Sequence, residues 1–193
     1  ALAVPVTRFD EWVAQHFAEL WPEVCAPEVV DPMVDVLAEL AGGGPALELG
    51  IGTGRIALPL SRRGVPVHGI ELSPAMVDEL RTQPGGDGID VTIGDLATTT
   101  VDGSFTLAYL VANTITNLIT QDEQVECFRN AAAHLEPGGH FVIENYIPAL
   151  QRLAPGETKT VFVSTPTHVG VEEYDVAAQL AVSHHWWVLD GEL

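Results

Sequence analysis

The sequence predicts an α/β fold: a doubly wound, mostly parallel sheet with helices ahead of it and an antiparallel β meander behind it. Three observations carry that expectation. Between residues 45 and 148, short apolar runs bounded by Gly and Pro alternate with amphipathic stretches, the pattern of parallel βαβ units with right-handed crossovers. The first such run, "PALELG", passes into "IGTGRIALPL" and brings glycines to positions 50, 52 and 54, in the strand-to-helix turn where such a sheet opens its ligand crevice. After Pro148 the helical period is lost and strand-like runs separated by turn residues take over.

Taken in order, "FDEWVAQHFAEL" spaces Trp12, Val13, Phe17 and Leu20 as one face of a helix. "PEVVDPMVDVLAELAGGG" does the same with Met33, Val36, Leu37 and Leu40 before a glycine stop. "PALELG" reads as a strand buried on both faces, and a helix follows from about Gly54 to Arg63. "VPVHGIELS" is a second strand, and Ser73 and Pro74 are the N-cap and first residue of the helix "PAMVDELRT". Strands are expected at "DVTIGD", "FTLAYLVAN" and "HFVIENYI". A helix from Asp122 to about Leu135, with Val125, Phe128, Ala132 and Leu135 inward, precedes the last of these, and "EPGG" is the stop between them. The meander is made of "TKTVFVSTP", "THVGVEEYD" and "QLAVSHHWWVLDG", added at the edge of the sheet or over its mouth.

The 193 residues, 47% of them hydrophobic, suffice for one sizeable core. A single domain is therefore expected, with N-terminal helices over 1–44, a ligand-binding core over 45–148, and antiparallel strands on the substrate side over 149–193. Twenty-seven acids against eight bases leave a formal charge of −19, which would repel a phosphate backbone or an anionic membrane. Neither partner is expected. Apolar runs fall far short of the roughly 20 residues that span a bilayer, and no export signal opens the chain. Cys25 and Cys127 have no Cys or His at metal-ligand spacing, so a cytoplasmic protein with reduced thiols and no metal site is the reading. The Arg-rich, Lys-poor, Ala-rich composition points to a GC-rich, bacterial coding sequence.

Glycine at 50, 52 and 54 permits positive φ and clears side-chain bulk from a ligand, while the helix start beyond offers free amides. A dinucleotide fingerprint would place its third glycine at 55, where this chain has Arg55. Glu71 ends the second strand, placed to accept both hydroxyls of a ribose.

"LELGIGTGRIALPL", "GIELSPAM", "IGDL" and "LEPGG" together resemble the successive motifs of class I S-adenosylmethionine-dependent methyltransferases, over about residues 28–147. The resemblance implies the Rossmann-like fold of that family and S-adenosylmethionine as cofactor, leaving S-adenosylhomocysteine as product. It implies that Glu48 orients the glycine loop and the methionine amino group, and that Gly50, Gly52 and Gly54 lie against the methionyl and ribose portion. Glu71 would hold the ribose, Leu72 and Met76 would pack the adenine, and Asp95 and the Leu96 amide would meet the adenine edge. Val111 and Ala112 would border the reactive methyl, and Arg55 would form a structural ion pair. Members similar to small-molecule methyltransferases, including amino-sugar and natural-product N-methyltransferases, continue past such a meander with a helix and a strand pair completing a seven-stranded sheet. These C-terminal elements are expected to be missing here.

The expected reaction is in-line transfer to nitrogen or oxygen of a small-molecule acceptor. An amine needs only positioning, whereas a hydroxyl benefits from a base. Candidates for catalysis are Glu144, Asn145 and Tyr146 at the end of the fifth strand, Asn113 after the fourth, and His184 and His185, which strand alternation sends to opposite faces. Trp12, His16 and Phe17 are candidates to close over the cofactor. A non-catalytic nucleoside-binding protein and an NAD-binding enzyme are the alternatives, and the oligomeric state, homodimer included, is left open.

Overall fold

The structure, a computed structural model, describes residues 9–188. Among these, the chain divides into two compact units, residues 9–145 and residues 146–188.

In the first unit, β1 (Ala46–Leu49), β2 (Val67–Glu71), β3 (Asp90–Ile93), β4 (Phe105–Leu110) and β5 (Leu135–Ile143) form a parallel sheet in the order β3-β2-β1-β4-β5. The order reverses between β1 and β4, the topological switch point outside which ligands bind in such sheets. β1 is buried along its whole length, which is why it reads as an unbroken apolar run. Alternation divides its neighbours between two cores. Leu107, Tyr109 and Val111 meet α3 (Pro27–Ala41), α4 (Ala57–Arg62) and α5 (Pro74–Thr82) through Leu37, Leu60 and Leu80 on one face. Leu47, Leu49, Ala108 and Leu110 meet α6 (Gln121–His134) through Cys127 and Ala131 on the other. A doubly wound sheet is thus present. Ahead of it, α1 (Glu11–Leu20) is capped by Asp10, and a short α2 (Pro22–Cys25), not anticipated, sits between α1 and α3.

Three inward faces differ from expectation. On α1 the buried residues are Ala14 and Leu20, with Trp12 50% exposed. On α3 the buried set is Val30, Val34, Leu37 and Ala41, with Val36 50% exposed. On α6 it is Cys127, Asn130, Ala131 and His134, while Val125 and Phe128 face outward. The α6 error has a polar cause. Asn130 donates to the carbonyls of Leu96 and Thr99 (both 2.9 Å), and Val101 N–H donates to His134 (3.0 Å), so two polar side chains satisfy the loop between β3 and β4 from beneath. The "EPGG" stop also differs: β5 already begins at Leu135, directly after α6, with an irregular register between Phe105 and Leu107 of β4.

In the second unit, β6 (Lys159–Ser164), β7 (His168–Asp175) and β8 (Leu180–Trp187) form a separate antiparallel sheet in sequential order. The meander therefore does not extend the five-stranded sheet. Direct pairing of Gly170 with His185 and of Glu172 with Ser183 places these four on one face.

Candidate functional site

The turn after β1 is left-handed at each glycine, with φ of 80°, 55° and 81° at Gly50, Gly52 and Gly54. A Cβ at Gly50 would also lie 2.6 Å from Thr114 Cγ2, so both backbone and packing demand glycine there. The amides of Gly50 and Ile51 both donate to the Ile70 carbonyl (2.8 and 3.1 Å), which holds the turn against the end of β2. At that end, Glu71 is buried, its Oε2 accepting from Gly52 N–H (2.8 Å) and its Oε1 from Ser73 N–H (2.9 Å). A carboxylate offers about four acceptor positions, so two amide donors fix Glu71 and still leave it capacity for a vicinal diol. Next to it Leu72 is 63% exposed, an apolar surface a planar base could cover, while Met76 is buried with its Cε 3.9 Å from a Cβ built at Gly52. These residues fit an adenosine: a diol acceptor, an apolar platform and a backbone cleared of side chains meet at one strand end.

Glu48 and Tyr109 are register partners in the β1–β4 pair, so their side chains share a face. The Tyr109 hydroxyl donates to Glu48 Oε2 at 2.9 Å, in a core where Glu48 is 3% exposed and Tyr109 is fully buried. Burial pushes the Glu48 carboxyl up to about 8, against the Tyr109 hydrogen bond, the Arg55 guanidinium and the Ala57 amide, which pull it down. Tyr109 itself is held well above its ordinary value by burial and by Glu48. Arg55, expected in an ion pair, instead donates to the Val24 carbonyl (2.8 Å) and so ties the loop to α2.

After β3, Asp95 is exposed, with Oδ1 accepting from Ala97 N–H (2.7 Å) and its carbonyl from Thr98 and Thr99. This turn presents the acidic side chain beyond the strand end. Leu96 lies half-buried, its Cδ2 3.8 Å from a Cβ built at Gly50. After β4, Val111 is buried, and Ala112 and Asn113 are consecutive left-handed residues with φ of 55° and 62°. Each such conformation in a residue with a side chain costs on the order of 1 kcal/mol, less for Asn. Glu144 Oε2 accepts from Ala112 N–H at 2.6 Å. The predicted Glu48, Gly50, Gly52, Gly54, Glu71, Leu72, Met76, Asp95, Leu96, Val111, Ala112 and Glu144 thus gather at the carboxyl ends of five adjacent strands.

Tyr146, His184 and His185 belong to the second unit. Tyr146 donates to Glu172 Oε1 (2.5 Å), whose Oε2 accepts from Tyr174 (2.5 Å), and burial together with Glu172 raises Tyr146 far above the ordinary phenol range and Tyr174 to about 12. A phenol so held keeps its proton at neutral pH. His184 lies 3.3 Å from Glu173 Oε2, an oxygen shared with Lys159 (3.1 Å), whereas His185 meets His168 (2.9 Å) and stacks on Trp187 on the opposite face. The buried Glu172, and Tyr109 in the first unit, carry polar networks that sequence reasoning missed. Only the strand register, which pairs Tyr109 with Glu48 and Glu172 with Ser183, could have flagged them.

Near the N-terminus, the Ser73 hydroxyl donates to the Phe9 carbonyl (2.5 Å), anchoring α1 where β2 ends. His16 stacks on the half-exposed Trp12 at 4.6 Å. A cavity of about 410 Å³ opens behind the glycine loop, lined by Phe17, Cys25, Val30, Arg55 and Arg62 among others, and is separate from Glu71 and Asp95. Among the described residues, no group of three metal-ligating side chains forms and no helix is long and apolar enough to cross a membrane.

Residues 46–139 match the family described as "Methyltransferase domain". The chain is 34% identical to the CcbJ methyltransferase of Streptomyces caelestis, over 98% of this chain and 78% of that one, with a TM-score of 0.82. It is 29% identical over 119 residues to a cypemycin N-terminal methyltransferase of a Streptomyces species, covering 62% of this chain and 49% of that protein. The match thus spans about half the length of that curated relative. The glycopeptide N-methyltransferase MtfA, in complex with S-adenosylmethionine, shares the fold at 22% identity and a TM-score of 0.53, over 77% of this chain and 72% of its own.

Proposed function

The chain belongs to the class I S-adenosylmethionine-dependent methyltransferases, and from that premise we propose that it methylates a nitrogen, or less readily an oxygen, of a small-molecule acceptor. S-adenosylmethionine is the cofactor. When bound, it supplies a methyl group already made electrophilic by the sulfonium, so the protein's task is to hold a nucleophile in line.

The observation that carries the reading is the Glu71 carboxylate, fixed by the Gly52 and Ser73 amides beside the left-handed glycine turn. Glu71 holds the ribose hydroxyls, Leu72 and Met76 border the adenine, Asp95 and the Leu96 amide meet its edge, and Val111 and Ala112 border the reacting centre. Nitrogen is favoured on two grounds. A sulfonium methyl is already electrophilic, so an amine that arrives unprotonated needs only to be positioned, whereas a hydroxyl would call for a base. The similarity to a cypemycin N-terminal methyltransferase agrees. The strong acidity disfavours nucleic acid, and two free thiols, Cys127 raised to about 11 by burial, suit a reducing cytoplasm. We infer that the two compact units are parts of one methyltransferase domain.

Calorimetric titration tests this. S-adenosylhomocysteine is expected to bind and NAD not to, with Glu71→Ala and Asp95→Ala each weakening binding about tenfold or more. Methyl transfer from labelled S-adenosylmethionine to a panel of primary and secondary amines should exceed transfer to matched alcohols. Binding of NAD alone, or transfer to alcohols only, would overturn the corresponding part.

A further inference from the structure

Glu144 was a candidate for catalysis, yet its contacts describe another task. Its N–H donates to the Leu110 carbonyl (3.1 Å), its own carbonyl accepts from Asn113 N–H (3.3 Å), and its Oε2 accepts from Ala112 N–H (2.6 Å). One residue at the end of β5 thereby takes up three backbone groups at the end of β4. Two of them belong to Ala112 and Asn113, the pair held in left-handed backbone without being glycine.

We propose that Glu144 is a positioning residue that imposes this turn and, through it, shapes the glycine loop that receives the cofactor. The coupling runs through Thr114. Its N–H and its hydroxyl both return to the Val111 carbonyl (3.2 and 2.7 Å), so the left-handed pair and Thr114 form one closed turn. The Thr114 methyl then stands 2.6 Å from where a Cβ at Gly50 would lie. Releasing Ala112 lets the turn relax toward right-handed backbone, which swings Thr114 and removes the wall against which Gly50 lies. The task of this carboxylate is to accept an amide proton and hold the turn. The inference rests on the methyltransferase reading only in naming what the loop receives.

The test compares wild type with Glu144→Ala, Glu144→Gln, Ala112→Gly and the Glu144→Ala/Ala112→Gly pair. Amide hydrogen exchange of the ligand-free chain is read on peptides covering 108–117 and 46–56, and S-adenosylhomocysteine affinity is read by calorimetry. Glu144→Ala is expected to speed exchange in both peptides and to weaken binding about tenfold, the scale of one charge-assisted hydrogen bond. Glu144→Gln keeps an acceptor oxygen and should stay within about threefold of wild type. With glycine at 112 the left-handed turn no longer needs the carboxylate, so the effect of Glu144→Ala should shrink at least about threefold, a coupling that a general loss of stability does not produce. Unchanged exchange in Glu144→Ala, an undiminished effect in the glycine background, or glutamine as harmful as alanine would overturn the proposal. If Glu144→Ala does not fold, rescue of folding by Ala112→Gly supports it and failure to rescue overturns it. Should wild type not bind S-adenosylhomocysteine, the cofactor reading fails while the exchange results still decide the role of Glu144.

Discussion

Two turns meet at the switch point of the sheet and solve one problem differently. Both leave a buried parallel strand, both run through left-handed backbone, and they touch where Gly50 faces Thr114. The turn after β1 uses Gly50, Gly52 and Gly54, for which positive φ carries no Cβ penalty. The turn after β4 uses Ala112 and Asn113 and relies on Glu144 to hold them. The difference teaches that strain is placed where a side chain is worth keeping. Glycine serves where a ligand must approach backbone, and a braced, side-chain-bearing turn serves where the neighbouring loop needs a wall.

Adding a Cβ to the first turn should therefore harm, and removing one from the second should help. The largest effect is expected from Gly50→Ala, which combines positive φ with a 2.6 Å approach to Thr114. A loss of about 3 kcal/mol is expected in urea unfolding, with S-adenosylhomocysteine binding lost at micromolar concentrations. An unaltered midpoint would mean that the two turns are not in contact as described.

Glu71→Ala comes next, removing the acceptor of both the Gly52 and Ser73 amides. It should destabilise by about 2 kcal/mol, whereas Asp95→Ala, lost from an exposed turn, should change stability by under about 1 kcal/mol. Equal destabilisation by the two would remove the distinction between a built and a surface carboxylate.

A third expectation concerns pH. The Glu48 carboxyl rises from 4.5 to about 8 in the fold, so the native state holds a proton that the unfolded chain releases near its ordinary value. That contribution is present in full at low pH and is lost as pH climbs toward 8. Stability should fall between pH 5 and 8 with a slope of at most about 1.4 kcal/mol per pH unit from this group, and Glu48→Gln should flatten it. A slope of unchanged size in the variant would place the proton elsewhere.

The smallest effect is the one of opposite sign. Ala112→Gly relieves left-handed backbone and should gain about 0.5–1 kcal/mol in thermal or urea unfolding. A loss of similar size would show that the turn is not strained.

Much of the fold was legible because it depends on local signals. The apolar run at 46–49, the Ser73–Pro74 helix start and the glycine spacing each have a short-range physical cause, and each lies where it was expected. The inward face of α6 was not legible, because Asn130 and His134 are buried by loop carbonyls and amides distant in sequence, and hydrophobic periodicity counts such residues as outward. The "EPGG" segment reads as a stop because its residues disfavour strands, yet it is an irregularity inside β5, between Leu135 and His140, which pair with Phe105 and Leu107 of β4. Of the candidate site, the types and strand-end positions of Glu71 and Asp95 were readable, while the bracing of Ala112 by Glu144 was not, since nothing local marks an alanine at φ 55°.

By itself the sequence determined the order and type of most elements, the position of the glycine turn and the strand-end carboxylates, because burial period, capping and backbone freedom act over a few residues. Only the tertiary structure decided that the meander forms its own sheet, that Tyr109 shares a buried hydrogen bond with Glu48, and that Glu144 faces Ala112. Those are matters of register between strands far apart in the chain, where a shift of one residue moves a side chain to the other face and no local signal records the choice.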